Sequence, residues 1–420
     1  MNGCHIKNKI LSQSRQETIK NEWLMKRLDI LLPVLMKETG IDMWVIISKE
    51  FNDDPIGKTF YPAQTISPSR LFGLVFYLRE DNTVERMNLY SDKGSSMVSF
   101  YKPSWKTDQE TQWECLKRLI DERKPKNIGL NYSNISTLAD GITHGMYMNV
   151  INSIGPENAE HVVSAEVLGI RWLETRIREE LVAYDGINTI LDAIINEMFS
   201  SDTIIPGVTT TTDVEWKFIE TIQGLGLRIN FRPDVDLQRP GDNNPKISGT
   251  TIMPGDLLRV DTGLEYLGLH TDTQKLAYVC KNGEKVVPHG LRKAWETSLR
   301  FQDIFCKRLN KGNSGNQVLL DSLSDAKHEN IDACLYTHPI GCYVHSAGPL
   351  IGLTDQQTAI PLIGDLLVSD NTCYALELYT ISYVPEWKQN VAMFSEQLIA
   401  YYEDAVHYIG NRQEELILVK

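Results

Sequence analysis

Residues 259–279 read RVDTGLEYLGLHTDTQKLAYV, a run in which two acids, Asp261 and Asp272, sit eleven apart inside strand-like sequence. Leu257, Leu258, Val260 and Leu264 surround Asp261, an apolar setting for a carboxylate. IMPGDLLRVDTG (252–263) ends a strand, TGLEYLGLH (262–270) is turn-rich through Gly263 and Gly268, and TDTQKLAYVC (271–280) reads as the returning strand. An antiparallel return carries Asp272 back beside Asp261, so both carboxylates can point into one site.

Working outward, His338 opens HPIGCYVH (338–345), which closes on His345. Glu377 lies in CYALELYTISYV (373–384), flanked by Ala375, Leu376 and Leu378. Glu396 follows in NVAMFSEQLIAYY (390–402), where Phe394 and Leu398 share its face of an alternating strand. VPEWKQN (384–390) joins the two β-rich runs. Four short strands would thus deliver four acids to one concave face, with the histidine arriving on a separate loop. Carboxylates are rarely buried unless paired or bound to metal. Two unit charges about 4 Å apart interact by roughly 4 kcal/mol at an effective dielectric near 20, so four converging acids repel strongly unless cations lie between them. Four carboxylates and one imidazole suit divalent Mn²⁺, Co²⁺ or Zn²⁺. Two such ions side by side can generate and hold a nucleophilic hydroxide.

The order of ligands, Asp261, Asp272, His338 with His345 seven later, Glu377 and Glu396, resembles the M24 "pita-bread" metallopeptidases. That family includes methionine aminopeptidases, aminopeptidase P, prolidase and the non-metal creatinase. The resemblance covers roughly residues 172–412; GIDMWVIISKEFNDDP and RLFGLVFYLRE also resemble the creatinase-type N-terminal domain of aminopeptidase P and prolidase. It implies an α/β (α+β) chain: a creatinase-like α/β domain followed by a curved antiparallel sheet covered by helices. Asp261 would then chelate one of two divalent ions, manganese first with cobalt or zinc as alternatives. Asp272 and Glu396 would bridge the pair, and His338 and Glu377 would complete the ligands of the other ion. Glu377 would also act as base, and His345 would steady the substrate; the other reading of His345 is a satisfied structural histidine.

Several positions depart from the family pattern. The family's additional histidine, some seventeen residues before the first Asp, falls where this chain offers Asn243 and Asn244. Cys334 stands where aminopeptidase P and prolidase carry a histidine, Phe394 where they carry an arginine, and Ser346 where a Glu often follows the second histidine. The ligand set is kept while the residues that handle substrate are rewritten. The leading expectation is therefore a dinuclear Xaa-Pro aminopeptidase-like enzyme acting on short peptides, as a homodimer by resemblance. A related metallohydrolase or lyase acting on a small non-peptide molecule is the alternative, and a metal-binding non-peptidase homologue a third.

Composition sets the remaining bounds. The 420 residues suffice for two or three domains, and 42% hydrophobic with 23% charged residues is ordinary for a globular protein. A net charge of −13 argues against a nucleic-acid partner, which needs a basic face. No run of eighteen apolar residues exists to span a membrane. MNGCHIKNKILSQSRQETIK (1–20) has no apolar signal-peptide core, and MNGC lacks the spacing of a myristoylation signal. Seven cysteines without a CxxC read as a reduced, cytoplasmic set. Cys342, inside HPIGCYVH, reads as a small buried hydrophobe or a group that tunes the site.

Residues 1–20 read as a polar arm, 21–165 as an α/β domain and 172–420 as the metallohydrolase domain. Leu24–Met36 carries helical spacing that Gly40 stops, and MWVIIS, LFGLVFYL and KPKNIGLNYS read as strands. Leu181, Tyr184, Ile187, Leu191, Ile194 and Met198 mark a long helix, IIPGVTTTTDVEW a capped helix start, and 289–309 and 315–328 two more helices. Trp387 reads equally as a pocket wall or a core edge. His270 reads as a non-ligand, and His289, His328 and His407 as helix-surface histidines.

Overall fold

MWVIIS and LFGLVFYL form neighbouring antiparallel strands, Met43–Lys49 and Leu71–Leu78, in a computed structural model that describes residues 6–67, 70–90 and 96–420. MNGC, at the head of the expected arm, lies outside the described residues. Both strands belong to a compact unit, Ser12–Ile177, built on a six-stranded mixed sheet. Ile128–Leu130 continues that sheet in parallel beside Met43–Lys49, and Val162–Ser164 extends it further. The apolar runs are continuous because this sheet is buried on both faces. Met43, Val45 and Ile47 meet Leu116, Leu119 and Val150 on one side, whereas Trp44, Phe60, Phe76 and Trp172 form an aromatic group. The helix Gln13–Lys26, capped by the Ser12 hydroxyl, runs through residue 20, where the polar arm was expected to end. A wider π-turn over Arg27–Leu31 precedes Pro33, whose ring nitrogen has no hydrogen to give the helix ladder. Gly40 ends the next helix at φ 68°, as its sequence position predicts.

The other unit comprises Arg178–Lys420 with residues 6–11. Its sheet runs in the order Asp332–Leu335, Thr372–Val384, Gln389–Tyr402, Thr273–Val279, Leu257–Thr262 and Asp234–Gln238, every neighbour antiparallel. Three short strands pair beside this path. The hairpin 372–402 is far longer than the short strands expected from sequence, with thirteen and fourteen residues in its arms. Odd-numbered residues of its second arm face the helices: Ser395 accepts from Gln302 at 2.8 Å, and Ile399 and Tyr401 pack in a core with Phe301, Phe305, Val318 and Leu319. The helices His289–Arg308 and Gly315–His328 supply those partners. Even-numbered residues, Glu396 among them, are left for the opposite face.

The remaining elements follow their local signals. Arg178–Met198 buries Tyr184, Ile187, Leu191, Ile194 and Met198, and Thr210 with Asp213 forms a capping box at the head of Thr211–Gly224. Trp387 packs with Leu291, Ala294 and Trp295, so it belongs to the core. His289 and His328 are exposed helix residues, but His407 is not: it lies on the strand Ala405–Tyr408, stacked on Tyr402 at 4.0 Å. Pairing with Gln389–Tyr402 sets His407 in a strand. Among the described residues no helix is long and apolar enough to cross a membrane.

Between Asp261 and Asp272 the chain makes a small excursion, Leu264–Tyr266 against Leu269–His270, turning at Leu267 and Gly268 with φ 57° and 78°. At its base Gly263 is pressed against the returning strand: a Cβ there would lie 2.1 Å from the Thr271 carbonyl oxygen and 2.8 Å from Asn230 Nδ2. Backbone cannot yield as a side-chain tip can. Gly263→Ala is therefore expected to destabilise this unit by about 1–3 kcal/mol, read as a lower melting midpoint. An unchanged midpoint would show that the two strands separate freely at this point.

Candidate metal centre

Register, more than loop placement, assembles the site. Asp261 is the Cα partner of Gln274, Gln274 of Glu396, and Glu396 of Glu377, so four side chains lie in one row across four strands. Asp272 precedes Gln274 by two and shares its face. His338 pairs with Ala375, two residues before Glu377, which brings the imidazole to the same surface. The five ligands read from sequence are thus brought together. Asp261, Asp272 and Glu396 each offer an oxygen within 4.8 Å of one another; carboxylate oxygens and imidazole nitrogens of His338, Glu377 and Glu396 lie equally close, as do those of Asp272, His338 and His345.

The donor atoms fit a cation. His338 Nδ1 lies 3.1 Å from the Pro339 carbonyl oxygen, a bond that places the proton on Nδ1 and leaves the Nε2 lone pair for the cavity. Nε2 stands 3.6 Å from Asp272 Oδ2 and 3.7 Å from Glu396 Oε1. His338 Nε2, Asp272 Oδ1 and Glu396 Oε1 are all buried and have no hydrogen-bond partner. Buried polar atoms in folded proteins are normally satisfied, so three orphans aimed at one space call for a ligand. His345 is exposed at the rim, its ring 4.4 Å from that of His338 and nearly perpendicular to it.

Electrostatics points the same way. Burial, then repulsion from Asp261 and Glu377, holds the Asp272 carboxyl well above the ordinary carboxylate range. Glu396 is raised likewise, by burial and then by Asp272, Glu377 and Asp261. Burial and Asp261 push Glu377 up to about 8, against the opposing pull of the Gln274 amide, Arg259 and Lys246. Asp261 is also raised by burial, while Arg259 draws it down. Burial, then His345, lowers His338 to about 4, so its imidazole is neutral near pH 7. Among the described residues His338 is the only ion-pair partner of Asp272 and Glu396, and uncharged it neutralises neither.

Some contributors escaped the sequence reading. Gln274 donates from Nε2 to Glu377 Oε1 at 2.5 Å and orients it. Arg259 reaches Asp261 at 3.1 Å and also binds Asp234 and Asp236. Alternation was the available signal, since Arg259 lies two before Asp261 and Gln274 two after Asp272. His270 stays out of the ligand groups; its backbone N–H donates to Gly341 O and burial lowers its pKa. Asn243 and Asn244 are exposed, Asn244 accepting from the Lys246 backbone. Cys334 is buried opposite Tyr379, Cys342 is half-buried, and Phe394 lies 5.2 Å from the Tyr379 ring with Lys246 Nζ 4.9 Å away.

Comparison with known proteins agrees with this architecture. The profile of Metallopeptidase family M24 matches residues 185–420, more than half of the chain. A search of the curated proteins returns no match. Among solved structures, X-Pro aminopeptidase from Thermotoga maritima superposes with a TM-score of 0.66 at 14% identity, covering 92% of this chain and 100% of the other. Xaa-Pro dipeptidase from Bacillus anthracis gives 0.62 at 16%, covering 96% and 100%. A substrate complex of Escherichia coli aminopeptidase P gives 0.59 at 11%, covering 93% and 94%. At these identities the likeness is one of fold.

The raised Glu377 carboxyl sets a pH dependence for the metal-free protein. Its proton is held more tightly folded than unfolded, so its stabilising contribution is full below about pH 4.5 and lost as pH rises through about 8. The metal-free melting midpoint should therefore fall across that window, Glu377→Gln should flatten the fall, and Mn²⁺ should raise the midpoint most at the alkaline end. A flat profile for the unaltered metal-free chain would contradict the crowding of acids described here.

Proposed function

This chain belongs to metallopeptidase family M24, and from that premise we propose that it removes the N-terminal residue from short peptides, in the manner of an Xaa-Pro aminopeptidase. The observation that carries the proposal is the convergence of three orphaned buried donor atoms, on Asp272, His338 and Glu396, with Asp261 and Glu377 in the same overlapping groups. Asp261, Asp272, His338, Glu377 and Glu396 would hold two divalent ions, manganese foremost, with cobalt or zinc able to take the same oxygen and nitrogen donors. When bound, the metal supplies a Lewis acid for the scissile carbonyl and lowers the pKa of water to about 7.

The protein's own groups do the rest. Gln274 holds Glu377 Oε1 and so orients the carboxylate that would take a proton from the attacking water and return it to the leaving amine. His345, at the exposed rim beside His338, is placed to hydrogen-bond the substrate oxygen as charge develops there. Asp272 and Glu396 are buried and would serve as ligands alone. By family resemblance the working form is a homodimer, which sedimentation velocity would test.

One observation favours a second reading, hydrolysis or elimination on a small non-peptide molecule. Phe394, Tyr379 and Tyr336 line up as an aromatic group, with ring centroids 5.2 and 6.1 Å apart, where the resembling peptidases carry an arginine and a histidine nearby. Assay of the manganese-loaded protein on Xaa-Pro dipeptides and tripeptides, beside simple amides and guanidino compounds, separates the two. Turnover of the proline peptides is expected, with Glu377→Gln lowering kcat by about 10²–10⁴-fold. No peptide turnover with metal bound would remove the proline-specific activity.

A further inference from the structure

We propose that Arg259 is the positioning residue that fixes Asp261 for cation binding, an inference that rests on the metallopeptidase reading above. Arg259 and Asp261 are two apart on Leu257–Thr262 and face the same way, and their Cα partners on the neighbouring strand are Asp236 and Asp234. The result is a two-by-two block of three carboxylates around one guanidinium. Nε and Nη2 both engage Asp236, at 3.0 and 2.5 Å from Oδ2; Nη2 also reaches Asp234 Oδ2 at 2.7 Å. Nη1 remains, and it donates to Asp261 Oδ2 at 3.1 Å.

The guanidinium is a rigid planar fork, so anchoring two of its nitrogens fixes the direction of the third. Arg259 and Asp236 are each only 2% exposed, and the guanidinium carbon lies 5.4 Å from the centroid of the Phe394 ring, over its face. Asp261 is thereby held through Oδ2, and the carboxylate so oriented has an oxygen within 4.8 Å of oxygens of Asp272 and Glu396. Phe394, an apolar departure from the family pattern, becomes part of the clamp as the surface on which the fork lies. Neutralising the buried Asp236 needs one partner only; the additional bond to Asp261 is what couples the block to the ligand set.

The test is Mn²⁺ binding by calorimetry on the full chain, paired with the melting midpoint of each metal-free protein. Two variants serve: R259K, which keeps the charge but cannot fork, and the double variant R259M with D236N, which removes the Arg259–Asp236 ion pair as a whole. Both are expected to bind Mn²⁺ about 10–100-fold more weakly than the unaltered chain while remaining folded. A merely structural role would lower the metal-free midpoint and leave the affinity of the folded protein unchanged, and that result would overturn the inference alone. If the double variant fails to fold, R259K decides. No uptake by the unaltered chain would overturn the metal reading and this inference together.

Discussion

Negative charge crowded into a dry site is the constraint on which this unit depends. Asp272 and Glu396 are buried against each other, flanked by Asp261 and Glu377, and their one ion-pair partner among the described residues is an imidazole that burial keeps neutral. At separations of about 4 Å each like-charge pair is unfavourable by roughly 4 kcal/mol at an effective dielectric near 20. Without a cation the chain can relieve this only by taking up protons, which is what the raised carboxyls of Asp272, Glu377 and Glu396 express. A divalent ion relieves it without protons and leaves the acids ionised.

The sheet makes such a site affordable by fixing the acids before any ion arrives. One transverse row carries Asp261, Gln274, Glu396 and Glu377, and a single slip in register would turn each acid towards the helices instead. The long hairpin 372–402 resists that slip, since its odd-numbered residues are locked into the helical core through Ser395, Ile399 and Tyr401. Gly263 lets the Asp261 and Asp272 strands approach where they diverge into the small excursion. Arg259 then ties Asp261 to the outermost strand. Rigidity comes from the back of the sheet, and chemistry from its front.

Much of this was legible in the residues. Apolar neighbours around Asp261, Glu377 and Glu396 marked buried acids, and strand alternation placed Phe394 beside Glu396. The helices at 178–198, 289–308 and 315–328 follow their apolar spacing. What sequence withheld was register. Gln274 and Arg259 look like ordinary polar strand residues until pairing sets one against Glu377 and the other between Asp236 and Asp261. His407 was misplaced on a helix because its neighbours have no strong period, and strand pairing alone decides its state. Trp387 had two equal readings, since an aromatic in a turn packs wherever the nearest core is, here against Trp295.

The most direct test is to strip the purified protein of metal, resupply Mn²⁺, measure the metal per chain by elemental analysis and locate it by anomalous scattering from a crystal. The account predicts stoichiometric uptake, with density between Asp272, Glu396 and their neighbours Asp261, His338 and Glu377. No uptake, or manganese bound elsewhere while these five side chains point apart, would contradict it.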